Sequence, residues 1–324
     1  MPIRRRILLA APLAAALARP AAAQAWPTRP TRMIVPFPAG QGADLLIRML
    51  SERLQQKLGQ PFVVDNRAGA GGTVGTEQIA SATPDGTTFG MGASGPLGIA
   101  PSLFPNLPYD PLKDLTPVAL VATVPQLFIV RADSPIRSIA DLIAAAKAKP
   151  GEVFYASSGN GTTQHLNVEM FAALAGVRVA HVPYRGSAPA LADLLGGRVA
   201  FMSDTLAAAG PQIRDGKVRA IGVTSAQRSP FFPDVPTIAE QGVANYESVG
   251  WISVVGPRAL LPEIANAAAR AIGEVVAEEA FAARLRSQSF TPDFRPTDRF
   301  RAFLAEEIAK WREVVRVSGA KVDG

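Results

Sequence analysis

The stretch MIVPFPAGQGADLLIRMLSERLQQKLGQ, which begins at Met33, constrains the fold more than any other. A short apolar run ends near Phe37, a loop of small residues follows, and Asp44 opens a segment of helical period. Leu46, Leu50, Leu54 and Leu58 recur every four residues as one apolar stripe. That spacing predicts a helix over residues 44–58 with one buried face. Asp44 can cap its start, and Gly59 ends it. Strand, tight loop and helix together form half of a parallel βαβ unit.

The pattern recurs along the chain. PFVVDN reads as a second strand, GAGGTVGTEQIASAT as a glycine turn entering a helix, and TTFGMGAS as a third strand. The proline-rich turns of APSLFPNLPYDPLKDLTP follow, and VALVATVPQLFIVRAD reads as strands that leave one unit and enter another. From SIADLIAAAKAKPG to VRAIGVTS, helices and strands alternate again. The chain then turns through SPFFPDVPTIAEQG and ends in helical patterns over residues 262–285 and 296–317. The expected architecture is two α/β lobes built on parallel sheets. Residues 26–125 and 227–324 form lobe I, and residues 126–226 form lobe II. Ligands of open α/β sheets sit outside the carboxyl ends of the strands, so two facing lobes make a cleft.

Residues 1–25 stand apart from this pattern. Arg4, Arg5 and Arg6 precede an apolar run from Ile7 to Ala18, and Ala23-Gln24-Ala25 closes the segment with small residues. This is the form of a cleaved secretory signal, with Trp26 as the mature N-terminus. The run is short of the roughly 20 residues that span a bilayer. The 33 basic residues include four arginines of this segment, which leaves 29 against 27 acids, a net charge of +2. No basic tract remains to suggest nucleic acid. Cysteine is absent, so neither a disulfide framework nor thiolate chemistry is available.

Catalytic signatures are weak. GMGASG, Gly90 to Gly95, matches a dinucleotide fingerprint by letter. Pro96, Pro101, Pro105 and Pro108 follow, however, where that fingerprint needs a long helix. His165 and His181 are the only histidines, which argues against a metal site. Both read as structural.

The loops carry more. Residues 39–43 are small and lead into a helix start, where partial positive charge and free N–H groups favour an anion. A merely tight connection would use the same residues. Ser157, Ser158, Gly159, Asn160, Gly161, Thr162 and Thr163 repeat the arrangement in the second lobe. Tyr184, Arg185, Gly186 and Ser187 precede another helix; Arg185 either pairs with a ligand carboxylate or is a solvated charge. Asp204 ends a strand, where it either caps the next helix or holds a ligand amine, hydroxyl or bridging water.

VPFPAGQGAD, VVDNRAGAGGTVGTEQIASATPDGTTF, LPYDPLKDLTPVALVATVPQLFIV, YASSGNGTTQHL, HVPYRGSAPALADLLGGRVAFM and VTSAQRSPFFPDVPTIAEQG occur in this order. In this the chain resembles the Bug family, the substrate-binding receptors of tripartite tricarboxylate transporters, over essentially its whole mature length. The resemblance implies a two-lobed type II periplasmic-binding-protein fold with a ligand cleft between the lobes. It implies a periplasmic protein that is not an enzyme, needs no cofactor or metal and acts as a monomer. Its partners would be a small carboxylate (an amino acid, a di- or tricarboxylate or an aromatic acid) and the membrane subunits of the transporter. Carried over by position, the ligand contacts would be Phe37, Ala39, Gly42, Ala43 and Asp44, with Ser94 nearby, and Ser157, Gly159, Thr162 and Asp204. Gln41 and Ala43 stand where the family often has glycine and threonine. Ser203 and Thr205 flank Asp204 where phenylalanine and asparagine are usual, and Arg185 replaces a frequent lysine. Two other readings remain. One is an exported enzyme of small acids that uses Asp204 with His165 as acid and base. The other is a sensor that signals to a membrane kinase.

Overall fold

A computed structural model describes residues 26–321; the signal segment lies outside the described residues. The chain first builds β1 (Thr31–Val35), α1 (Gly42–Leu58), β2 (Phe62–Asn66), α2 (Thr73–Ala80), β3 (Thr88–Ala93), α3 (Ala100–Leu103) and β4 (Leu115–Val124). It crosses at Pro125 into β5 (Gln126–Arg131), α4 (Ile139–Ala148), β6 (Phe154–Ser157), α5 (Thr163–Ala175) and β7 (Ala180–Pro183). There follow α6 (Ser187–Leu195), β8 (Phe201–Thr205), α7 (Leu206–Arg214) and β9 (Val218–Val223). The return path is β10 (Gly250–Pro257), α8 (Pro262–Ala277), α9 (Glu279–Ser287), β11 (Thr291–Pro296) and α10 (Thr297–Ser318).

The leucine stripe does what its spacing predicts. Leu46, Leu50 and Leu54 are buried on α1. Gly59 ends the helix at φ +71°, the left-handed conformation that glycine adopts at little cost, and its N–H donates to the Gln55 carbonyl. With α8 and α9, α1 covers one face of the first sheet, where Met33, Phe89 and Val254 meet Leu50, Ile272 and Phe281. Ile79, Phe300 and Leu304 of α2 and α10 cover the other face. The second sheet is a sandwich of the same kind. Leu142 and Phe171 of α4 and α5 pack on Phe128, and Leu194 and Ala209 of α6 and α7 pack behind Met202.

The strand orders are β11-β4-β10-β3-β1-β2 and β7-β6-β8-β5-β9. β1 is parallel to β2 and β3, and β6 is parallel to β7 and β8. The alternation predicts parallel sheets, but neither sheet is purely parallel. β10 runs antiparallel to β3 and β4, and β5 antiparallel to β8 and β9. These two strands begin at the crossings between lobes, so each enters its sheet from the cleft side, against the direction of the βαβ strands.

The helical pattern over residues 262–285 resolves into α8 and α9, separated at Glu278, whose ψ of 120° is extended. Residues 237–246, placed with lobe I by the sequence pattern, pack on the second sheet. Ile238, Val243 and Tyr246 share its core with Phe128 and Phe171, and Ser248 donates its N–H to the Thr224 carbonyl. A small apolar seam also joins the lobes: Ile99 and Leu103 with Trp311 of α10 enclose Leu166 of α5.

Candidate functional site

Strands of both sheets end on a cleft of about 1220 Å³ between the lobes. The first turns of α1, α5, α6 and α7 line it, together with Gly69–Gly72 ahead of α2 and the π-helical turn at Ser94. The first N–H groups of a helix have no partner within the helix and carry its positive end. Such starts from both lobes converge on the cleft. Among the described residues, its lining holds one carboxylate, Asp204, and one cationic side chain, Arg185.

Phe37, Ala39, Gly42, Ala43 and Ser94 face the cleft from the first lobe, and Gly159, Thr162 and Asp204 from the second. Asp44 and Ser157 are not in the lining. The Asp44 carboxylate is 1% exposed. Its Oδ2 accepts the Gly40 N–H at 2.8 Å and Arg48 Nε at 2.9 Å, and its Oδ1 accepts Asn66 Nδ2 at 2.8 Å. The same Asn66 amide donates to the Phe37 carbonyl. Burial raises the pKa of Asp44, but the bonds from Arg48, Gly40 and Asn66 outweigh it and hold the carboxyl below its usual range. Asp44 therefore shapes the loop whose amides face the cleft.

Ser157 does the same in the second lobe. Its Oγ pairs with His181 Nε2 at 2.6 Å and accepts the Gly159 N–H at 3.1 Å. Behind this loop His165 stacks on His181 with ring centres 4.0 Å apart, and His165 Nδ1 accepts the Gly161 N–H. Burial, and for His165 also the neighbouring His181, pushes the two rings down to about 3 and about 4. Neutral, buried and outside the lining, His165 is a loop support and not a base for Asp204. The Thr162 hydroxyl donates to the Gly159 carbonyl at 2.7 Å and accepts the His165 N–H at 3.4 Å, so it caps α5. Ser94 Oγ accepts the Trp251 N–H at 2.9 Å, which leaves its own proton free to turn toward the cleft.

Sequence reasoning missed Gln126, Gln164, Trp251 and Phe290, which also line the cleft, as does Thr205 beside Asp204. Gln126 had a signal: it is a polar residue inside the apolar run VPQLFIV. Its Oε1 accepts from Asn167 and Ser203 at the crossing between lobes. Across the cleft the lobes touch at glycines. A Cβ on Gly71 would lie 2.7 Å from the Asn160 carbonyl oxygen, one on Gly95 3.1 Å from that of Gly161, and one on Gly186 3.1 Å from Gln41 Nε2.

Two lobes, two crossings and a cleft ringed by helix starts define a solute-binding protein of the periplasmic type. Comparison with known proteins narrows the class. The chain belongs to the tripartite tricarboxylate transporter family receptors (TctC), whose family model matches residues 46–319. It is 41% identical over 309 residues to protein BugT of Bordetella pertussis, an alignment that spans 95% of each chain. The solved structure of R. palustris Rpa4515 with adipate superposes with a TM-score of 0.86 at 37% identity, covering 92% of this chain and all of that one. MatC (Rpa3494) from Rhodopseudomonas palustris with bound malate gives 0.82 at 32% identity, over 90% of this chain and all of that one. A third neighbour is the periplasmic binding protein BugD, with a TM-score of 0.83 at 33% identity over 91% and 99% of the two chains. These relatives are binding proteins, and the protein is a solute-binding receptor and not an enzyme.

Proposed function

We propose that this receptor captures a small organic acid in the interlobe cleft and presents it to the membrane subunits of a tripartite tricarboxylate transporter. The carrying observation is the convergence of the α1, α5, α6 and α7 starts from two lobes on one cleft that holds a single cationic side chain. A carboxylate there accepts main-chain N–H groups and offsets the positive ends of the helices. The residues proposed to touch it are Phe37, Ala39, Gly42, Ala43 and Ser94 from one lobe and Gly159, Thr162 and Asp204 from the other. Asp44 and Ser157 act by holding the two loops in shape. The adipate and malate in the two neighbours support this reading. The protein is proposed to reach the periplasm through cleavage after Ala25, which N-terminal sequencing of exported material checks.

Calorimetry with a series of mono-, di- and tricarboxylates and amino acids tests the proposal. An acid that binds at about 100 times its dissociation constant should stabilise the protein by about 2.7 kcal/mol. The methyl ester of the gripped carboxylate should lose most of that gain. An ester that binds as tightly as its acid would remove the anion grip.

A further inference from the structure

One side chain in the cleft is left incomplete by the protein itself. Asp204 is the penultimate residue of β8 and is 1% exposed. Its Oδ1 accepts the Ser187 hydroxyl at 2.9 Å and the Thr205 N–H at 2.8 Å. Its Oδ2 is buried and accepts no hydrogen bond of ordinary length among the described residues, although the Gln164 side chain lies close enough to the carboxyl to favour its charged form. The other buried side-chain atoms in that condition are the hydroxyls of Thr31, Ser51, Ser102 and Ser253, none of which lines the cleft. A buried carboxylate oxygen without a donor is costly, and native structures rarely leave one without a reason.

We propose that Asp204 Oδ2 is completed by the ligand, so that the cleft selects acids with an O–H or N–H donor, a hydroxyl or an ammonium, apart from the gripped carboxylate. This rests on the anion-grip reading and adds a second point of recognition to it. The helix starts attract the ligand's carboxylate, and Asp204 repels one. A ligand with its carboxylate on the helix starts and a donor on Asp204 satisfies both ends. A donor-free acid leaves Oδ2 as the protein leaves it. The relatives do not settle the matter by fold, since malate carries a hydroxyl and adipate none.

The charge environment fits. Burial pushes the Asp204 carboxyl up to about 6 against the bonds from Ser187 and Thr205 and the nearby Gln164 side chain. It is therefore mostly ionised near pH 7.5 and acts as an acceptor. Arg185 and the Tyr184 phenol are the other ionisable side chains in the lining, and the phenol is directed to Asp193.

Binding should be measured at pH 7.5 with matched sets: succinate, malate and aspartate; glutarate, 2-hydroxyglutarate and glutamate; adipate, 2-hydroxyadipate and 2-aminoadipate; benzoate, 4-hydroxybenzoate and 4-aminobenzoate. Within the set of the right length, the hydroxy or amino acid should bind about 10- to 100-fold tighter than its donor-free partner. Comparing its hydroxy and amino members tells which donor is used. Asp204→Asn keeps the shape and turns its amide oxygen to Ser187 and Thr205, which puts an NH₂ donor in place of the Oδ2 acceptor. That variant should abolish or reverse the preference, with circular dichroism confirming that it folds. Equal affinity for donor-free and donor-bearing acids in every set that binds would overturn the inference and leave the anion grip standing. So would donor-free diacids that tighten as pH falls through 6 and bind Asp204→Asn well, because a protonated Asp204 would then face a second carboxylate. No binding in any set would overturn both readings.

Discussion

Asp44 shows how one carboxylate can matter to a site it does not face. Each of its oxygens is committed, to Gly40, Arg48 and Asn66. Removing it takes the acceptor from the exposed Gly40 N–H and the half-buried Asn66 amide, both of which water can reach in part. Asp44→Ala should therefore cost about 0.5–1.5 kcal/mol of stability, the net worth of a hydrogen bond whose partners can be rehydrated. It should also weaken ligand binding, because the loop from Phe37 to Ala43 loses its brace. Urea denaturation and calorimetry on the one variant read both effects; unchanged stability would show that the brace is dispensable. At this scale the sequence marks which loops matter better than which side chains touch the cleft. The i, i+4 pair Asp44–Arg48 is visible in the sequence. Asn66 comes from another strand, and that non-local partner turns Asp44 inward. Likewise the His181 partner of Ser157 lies 24 residues away.

Among the elements, the strand–loop–helix units were legible because their apolar periods are regular and their glycines fall at helix ends. β10 was not. GWISVVGP is buried at all eight positions, so it shows neither the alternation of a half-exposed strand nor a helical stripe. Without it the sheet reads as parallel. The glycine turn ahead of α2 also has a role that composition does not disclose. Gly71 sits at φ +65°, with the Asn160 carbonyl of the other lobe beside its Cα. Gly71→Ala would place a Cβ 2.7 Å from that oxygen, so the lobes would have to part there. We expect weaker ligand binding from Gly71→Ala. Alanine at Gly151, whose φ is +82° and whose Cβ site is open, carries the same backbone strain far from the cleft and should leave affinity unchanged. Calorimetry on the two variants separates obstruction from strain.

For the whole molecule, acid stability combines opposing contributions. His165 and His181 are held to about 3 and about 4, below the ordinary 6.5. Above pH 6.5 the fold keeps the full benefit. Below it the unfolded chain takes up protons that the folded chain refuses, and stability falls by about 1.4 kcal/mol per pH unit for each ring until the folded value is reached. Asp204 works in the other direction. Its folded value of about 6 exceeds the ordinary 3.8, so the folded state binds that proton first and gains stability as pH drops from 6 toward 4. Thermal melts of the wild type from pH 7 to 4 should therefore decline. Asp204→Asn removes the compensating group and should decline more steeply over pH 6 to 4. Parallel curves would mean that Asp204 does not titrate in that range.

The apolar seam of Ile99, Leu103, Leu166 and Trp311 joins the lobes outside the cleft lining. It clasps the α5 flank through contacts that no ligand needs to break. The opposite flank meets through smaller groups, Gln41 against Gly186 and Gly42 near Ala207. If the cleft holds an acid as proposed, its residence time should follow how readily the Gln41–Gly186 lip parts, while the strength of capture should follow the main-chain amides at the helix starts. The two can drift independently as the sequence changes, so a receptor of this build can hand over its cargo faster without gripping it less.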